Sequence, residues 1–582
     1  MERKGKYMVS LTIDNQKVTV PEGTTILEAA KELGIHIPSL CAMPEINHTP
    51  GACRVCVVEV ERSRSLVASC VYPVAEGMKV KTNSERVRRG RRAVVEFLLS
   101  DHPQDCTICA KNGSCELQKV AELVGLREIR VPRTDFTVHR IDDSSPALIR
   151  DTSKCINCLR CVAVCAEIQG VSLLTPENRG FESRVVPAMA KNLADSACTY
   201  CGQCAVVCPT GAIIERDDRH LVLAALEDPQ KHVVVQEAPA IRASLGEEFG
   251  MPPGSLVTGK MIAALKRLGF DRVFDTNFSA DLTIIEEGHE LLHRVKTGGK
   301  LPMITSCSPG WIKFIEHFYP DLLPHVSTCK SPQQMFGALA KTYYAEISGI
   351  DPKDIFVTSV MPCTAKKYEA TRPEMCSSGY RDVDAVLTTR ELASMIREAG
   401  IDFKNLDPEE FDPPMGRYTG AATIFGATGG VMEAALRTVY AVVAGKDMPS
   451  LDIREVRGLS GVKEAAVTVG ELGEVRVAVA HGLANARKVL DMIVDGTADY
   501  HFIEVMACPG GCVGGGGQPL PVSDEKRIKR AEALYNDDSR VQEYRQSHEN
   551  PAIKKLYEVF LKEPLGKKSH HLLHTHYVDR GI

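Results

Sequence analysis

Within the stretch Glu504–Gln518, Cys508 and Cys512 stand four residues apart, and glycines follow at positions 514 to 517. Thiolates at that spacing can share a metal centre, and glycine lets a backbone approach a bulky group that a side chain would push away. A flexible loop with two incidental cysteines would look the same, so the other cysteines decide. Cys155, Cys158, Cys161 and Cys165 form a C-x-x-C-x-x-C-x-x-x-C run that recurs at Cys198, Cys201, Cys204 and Cys208, with Pro209 behind it. Cys41, Cys53, Cys56 and Cys70 form an earlier set, and Cys106, Cys109 and Cys115 follow His102. Tight groups of three and four are iron–sulfur spacing; zinc pairs are separated by finger-length loops.

Composition agrees with a metal-rich intracellular chain. The 582 residues call for roughly three to five modules. A balance of 70 basic against 75 acidic side chains, net −5, argues against nucleic acid as a bulk partner. Arg86, Arg88, Arg89, Arg91 and Arg92 read as a solvated helix face, with docking of an acidic electron carrier as the alternative. No apolar run reaches the roughly eighteen residues of a membrane span, and the N-terminus shows no signal-peptide segment, so a cytoplasmic location is expected. There, 21 cysteines are reduced thiols and metal ligands, not disulfides. Cys329 and Cys376 fall outside every group and read as buried thiols.

The elements that position these residues change character along the chain. Residues 8–20 alternate as a β-hairpin, and Thr25 with Glu28 has capping-box spacing at the start of a helix. A second helix covers 84–100. After residue 220, apolar strand-like runs at 233–235, 355–357, 383–387 and 475–479 alternate with helices at 257–269, 333–347, 390–399 and 430–443, an α/β domain of about 300 residues. No G-x-G-x-x-G follows a strand, so the chain shows no nicotinamide fingerprint. The tail Ser569–His576 holds four histidines and reads as a packed or solvated terminal segment, with metal binding as the alternative.

The hairpin, helix and first cysteine set resemble the 2Fe-2S domain that opens the large iron–sulfur subunit of respiratory NADH dehydrogenase; zinc is the alternative reading there. The same resemblance covers the next motif and makes His102 the fourth ligand beside Cys106, Cys109 and Cys115. The repeated runs resemble a two-cluster bacterial ferredoxin, in which the fourth cysteine of each run serves the other cluster: Cys155, Cys158, Cys161 and Cys208 for one, Cys198, Cys201, Cys204 and Cys165 for the other. Thr305-Ser-Cys307-Ser-Pro-Gly-Trp311, Met361-Pro-Cys363-Thr-Ala-Lys366 and the Cys508–Cys512 loop together resemble the iron-only (FeFe) hydrogenases in their long form with four accessory clusters. The implied fold is multidomain α+β and α/β: a β-grasp 2Fe-2S domain (1–82), a 4Fe-4S domain with one histidine and three cysteine ligands (83–140), a two-cluster ferredoxin-like domain (141–220), a two-lobed catalytic domain (221–525) and a C-terminal small-subunit-like segment (526–582).

That resemblance implies one 2Fe-2S cluster, three accessory 4Fe-4S clusters and an H-cluster, a cubane joined through a cysteine sulfur to a di-iron unit carrying CO, CN and a dithiolate. Cys363, Cys508 and Cys512 match its cubane ligands, with Cys512 the bridge. Lys366 matches the donor to a cyanide, and Pro239, Gln333, Met361 and Met506 match pocket-lining positions. The family has two adjacent cysteines where this chain has Cys307-Ser308, the first a proton relay and the second a cubane ligand. Position makes Ser308 the ligand; the preference of iron for thiolate makes it Cys307, with Ser308 or water as relay, and the second assignment is the expectation. Glu287, Ser327 and Glu290 match the rest of the proton route, with Arg294 at its outer end; without the resemblance, Glu286, Glu287 and Glu290 would read as a helix face. The implied activity is reversible 2H⁺ + 2e⁻ ⇌ H₂, with ferredoxin or flavin- and NAD(P)-binding subunits of a hetero-oligomer as electron partners. The competing functions are an electron-wiring subunit of a respiratory or formate-oxidising complex and a non-catalytic hydrogen sensor.

Overall fold

The computed structural model describes residues 7–131 and 140–581; residues 1–6, part of the stretch read for an export signal, lie outside them. Strands Met8–Ile13 and Gln16–Pro21 pair antiparallel through a turn at Asp14 and Asn15, both at positive φ (44° and 67°), the geometry a tight hairpin needs. Met8–Ile13 also pairs parallel with Lys79–Lys81, which closes a five-stranded mixed sheet. Thr25 caps the helix Ile26–Glu32 with the expected Glu28 box, and that helix buries Ile26, Ala29 and Ala30 against the sheet core.

The helix Glu85–Ser100 corrects one expectation. Arg86, Arg88, Arg89 and Arg92 are exposed, but Arg91 is buried and donates to Val57 O from Nε at 3.2 Å and Nη2 at 2.9 Å, so it ties the helix to the first domain. Burial there lowers the Arg91 pKa.

Two four-stranded sheets build the catalytic region. The first is all parallel, in the order Arg272–Asp275, His232–Glu237, Ile355–Met361, Ala385–Thr388. The second runs Met303–Ile304, Phe502–Met506, Glu474–His481, Val462–Thr468, with only the last strand antiparallel. Strands buried on both faces read as continuous apolar runs, as at Val233–Val235 and Val477–Val479. The expected helix at 333–347 is an α-helix over Pro332–Leu339 that passes through a π-helical turn at Ala340–Tyr344. The C-terminal segment packs back on both lobes, and Ile553, Leu556, Phe560 and Leu573 belong to the first lobe's core. No helix among the described residues is long and apolar enough to cross a membrane.

Candidate active site and its cysteine wire

Parallel strands open a crevice beyond their carboxyl ends, and the three distant motifs meet there. Ile355–Met361 delivers Cys363, Phe502–Met506 delivers Cys508 and Cys512, Met303–Ile304 delivers Cys307 and Ser308, and His232–Glu237 delivers Pro239. All of these residues line one cavity, together with Gln333, Met361, Lys366 and Met506. Burial raises the Cys508 thiol pKa, as does the nearby Cys363, and pushes Cys512 up to about 12. Thiols so placed ionise readily only by bonding a cation, which fits a metal centre held by Cys363, Cys508 and Cys512.

The glycines do a different job from the one their position suggests. A Cβ at Gly515 would stand 2.1 Å from Pro362 O, and one at Gly516 2.5 Å from Cys201 O. Their bareness therefore admits protein backbone, locking the Cys508–Cys512 loop onto the Cys363 turn and the ferredoxin-like domain. Gln203 Nε2 donates to Gly514 O (3.1 Å) and Thr364 Oγ1 to Tyr200 O (2.7 Å) across the same junction.

Lys366 is buried at the cavity wall, donating to Cys307 O (3.1 Å) and Glu369 Oε2 (2.8 Å). The same carboxylate oxygen accepts from Ser331 Oγ (2.8 Å) and Gln333 Nε2 (3.0 Å). Glu369, which ends the motif that begins at Met361 but carried no role in the sequence reading, is thus a positioning residue; it stands i,i+3 from Lys366 on a helix.

Glu287, Glu290 and Arg294 share one face of the helix Thr276–Thr297. Glu286, Glu287 and Glu290 are all buried, so this is no solvated helix face. Burial, and then the neighbouring Glu290 charge, push the Glu287 pKa up to about 8. Ser327 Oγ donates to Glu290 Oε2 (2.9 Å), and Arg294 Nη2 to Glu290 Oε1 (2.6 Å). Glu287 Oε1 is buried with no hydrogen-bond partner among the described residues.

The tail histidines divide. His570, His571 and His576 are exposed, whereas His574 is buried between Thr328 Oγ1 (2.8 Å) and Glu286 Oε2 (3.2 Å). Cys329 is a buried thiol, as expected; Cys376 is exposed, its thiol against Pro373 O at 3.0 Å, because it sits on a surface turn after the helix Ala365–Thr371.

The N-terminal cysteines gather in sequence-local sets. Cys41 lies in hydrogen-bonding range of Cys53 and Cys70, and Cys56 in range of Cys70, so four sulfurs converge as a cluster needs. Cys41, Cys53, Cys115 and Cys158 share one apolar core, which joins three modules, and Cys109 Sγ would stand 2.9 Å from a Cβ at Gly211. His102 is buried at the head of its cysteine motif. Cys155, Cys161, Cys198, Cys204 and Cys208 share a second core with Cys363, and Cys201 lines the catalytic cavity. Shared apolar cores thus link the cysteine-bearing modules, and Cys201 brings the last of them to that cavity.

Comparisons with known proteins agree with this arrangement module by module. Residues 231–516 match the iron only hydrogenase large subunit, C-terminal domain, and 524–580 the iron hydrogenase small subunit. Residues 6–85 match a 2Fe-2S iron-sulfur cluster binding domain, 91–130 the NADH-ubiquinone oxidoreductase-G iron-sulfur binding region, and 154–212 a 4Fe-4S dicluster domain. The chain is 54% identical to the NADP-reducing hydrogenase subunit HndD of Solidesulfovibrio fructosivorans, over 98% of this chain and 99% of that one. It is 42% identical to iron hydrogenase 1 of Clostridium pasteurianum, over 98% and 100%. A solved [FeFe]-hydrogenase HydA1 from Chlamydomonas reinhardtii superposes with a TM-score of 0.57 at 46% identity, covering 63% of this chain and all of that one (100%).

Proposed function

The chain belongs to the iron-only (FeFe) hydrogenases, and from that premise we propose that it interconverts protons and H₂ at the cavity lined from both of its four-stranded sheets. The observation that supports this most is the convergence of Cys363, Cys508, Cys512 and Lys366 on one cavity that also touches the Cys307-Ser308 pair. When bound, the H-cluster supplies the electron storage and the making and breaking of the H–H bond.

The protein's own groups do the rest. Cys363, Cys508 and Cys512 would hold the cubane, Cys512 would also carry the di-iron unit, and Pro239, Gln333, Met361 and Met506 wall the pocket. Lys366, aimed by Glu369, presents a cation to an anionic ligand. Glu287, protonated in the neutral range, passes its proton inward and takes another from Ser327, which recovers one from Glu290 after that carboxylate, beside Arg294, has taken up a proton from solvent. The remaining pair, Cys307 and Ser308, divides the fourth ligand position and the innermost proton donor.

One 2Fe-2S cluster on Cys41, Cys53, Cys56 and Cys70 begins the electron file. A 4Fe-4S cluster on His102, Cys106, Cys109 and Cys115 and two more in the ferredoxin-like domain complete it. The absent nicotinamide fingerprint and the NADP-reducing relative support flavin- and NAD(P)-binding partner subunits, with ferredoxin as a further donor, in a cytoplasmic hetero-oligomer.

Hydrogen evolution measured with carbonyl and cyanide infrared bands on matured protein tests the reading. Bands and turnover are expected. Bands without turnover would make the chain a sensor, and accessory clusters without bands would make it an electron wire. Glu287→Gln is expected to keep the bands and lower turnover by about 100-fold or more.

A further inference from the structure

The thiol of Cys329 and the tail histidine His574 have no part in the route derived above, yet the fold sets them side by side. Lys330 N bonds Leu573 O and Thr575 N bonds Thr328 O, each at 2.7 Å, and these bonds frame an antiparallel pair of Cys329 with His574. A pair framed in this way is the non-hydrogen-bonded kind, in which facing Cα atoms stand about 4.5 Å apart and the side chains are close. Glu290 reaches the same point from the helix Thr276–Thr297, with Cys329 Sγ 3.9 Å from its Oε2. One donor atom each from Glu290, Cys329 and His574 lies within 4.8 Å of the other two, and all three residues are buried.

A second carboxylate orients the imidazole. His574 Nε2 meets Glu286 Oε2 at 3.2 Å, so in the neutral ring the proton sits on Nε2. Glu286 is itself held: the Tyr557 and Ser569 hydroxyls donate to its Oε1, and Leu565 N donates to Oε2 at 2.9 Å. The bare nitrogen is then Nδ1, 2.8 Å from Thr328 Oγ1, whose hydroxyl stands 3.3 Å from Glu290 Oε2. Carboxylate, histidine and metal in sequence is the arrangement by which proteins fix a ligating imidazole. Thr328 and Arg294, both bonded to Glu290, are half-buried, and ions reach the group from their side.

The geometry points to a Zn²⁺ site made by Glu290, Cys329 and His574, and to arrest of proton uptake when the ion is bound. The second half rests on the family reading above, with Glu290 as the outer relay. Thiolate, imidazole and carboxylate are donors that zinc takes in tetrahedral sites, and a water completes the four. Binding exchanges the S–H bond of Cys329 for an S–Zn bond and releases that proton to solvent; no electron is transferred. The ion takes the Glu290 Oε2 to which Ser327 donates at 2.9 Å, while Arg294 keeps Oε1. A carboxylate engaged at both oxygens neither takes up a proton nor hands one on.

The test uses the matured enzyme, incubated with zinc sulfate and freed of excess by gel filtration. About one equivalent of retained zinc is expected, with a zinc-edge X-ray absorption spectrum of about one sulfur and three lighter ligands. Accessory-cluster EPR signals and iron content should stay unchanged, which separates this site from exchange into the clusters. Turnover is expected to fall by about tenfold or more and to return with EDTA. Cys329→Ser should keep its turnover without zinc, lose the sulfur from the edge spectrum and need about tenfold or more zinc for the same inhibition. His574→Gln, which leaves the thiol in place, should weaken inhibition by a similar factor. No zinc retained by the unsubstituted enzyme, or an edge spectrum that both substitutions leave unaltered, would overturn the site. Zinc held in that coordination with turnover undiminished would overturn the arrest. Absence of turnover before zinc is added would overturn the family reading instead, with zinc retention and the edge spectrum still deciding the site.

Discussion

The two cysteine-bearing regions solve the same problem in opposite ways. In the ferredoxin-like domain, the cysteines come from short runs, and residues such as Leu159 and Tyr200 take positive φ (63° and 55°), which turns the backbone within each run. In the catalytic region, Cys363 and Cys508 are 145 positions apart in number and meet because the strands that carry them, one in each sheet, both end at the same cavity. Local chain geometry builds the wire; the whole tertiary fold builds the site. Damage to the fold far from any sulfur should therefore reach the site and spare the wire.

The largest expected effect tests that separation. Cys512→Ala should abolish hydrogen turnover and leave the accessory-cluster EPR signals in place; simultaneous loss of both would mean that the regions stand or fall together. Next in size is Arg437→Ala. Arg437 is fully buried, bonding Asp538 at 3.0 and 2.9 Å and Glu433 at 2.7 Å, and removing it leaves Asp538 to Arg545 and Glu433 to Arg457 alone. A destabilisation of about 1–3 kcal/mol is expected, read by denaturant unfolding of the catalytic region, with the accessory signals lost only at higher denaturant. Gly515→Ala forces a methyl onto Pro362 O and should cost about 1–3 kcal/mol and most of the turnover.

Glu287 sharpens the comparison through pH. Its folded pKa of about 8 lies above its ordinary value of 4.5, so between the two the native chain binds a proton that the unfolded chain has released. Stability contributed by that proton is complete below the ordinary value and is lost as pH rises through about 8. Glu287→Gln should flatten the fall of the melting temperature across that window, and an unchanged slope would place the carboxyl in water. The smallest effect belongs to a junction of the wire. His48 Nε2 meets Cys158 O at 3.4 Å, and His48→Ala should cost no more than about 1 kcal/mol, read by unfolding of the first domain.

The same contrast explains what was legible in the sequence. Runs such as Cys198–Cys208 announce themselves because spacing alone makes them chelating. The hairpin, the Thr25–Glu28 cap and the strand at Val233–Val235 were readable for a related reason, since each follows from period and local hydrogen bonding. Glu369 and the buried Arg91 were not, because their partners, Gln333 and Val57, lie 36 and 34 residues away. Cys307 and Ser308 show the limit most sharply. Their residue types argue for one division of roles, and their positions in the motif argue for the other.

The last residues add a matter of timing. Lys330 N bonds Leu573 O at 2.7 Å, Thr575 N bonds Thr328 O at 2.7 Å, and Arg580 N bonds Glu316 O at 3.0 Å. These bonds close the region around Ser327 and Cys329 with chain that follows every cysteine of the site in sequence. Domains fold from the N-terminus as they emerge, so the cluster-bearing modules can be complete on the ribosome while the catalytic wall still stands open. Closure of that wall waits for residues 573–580.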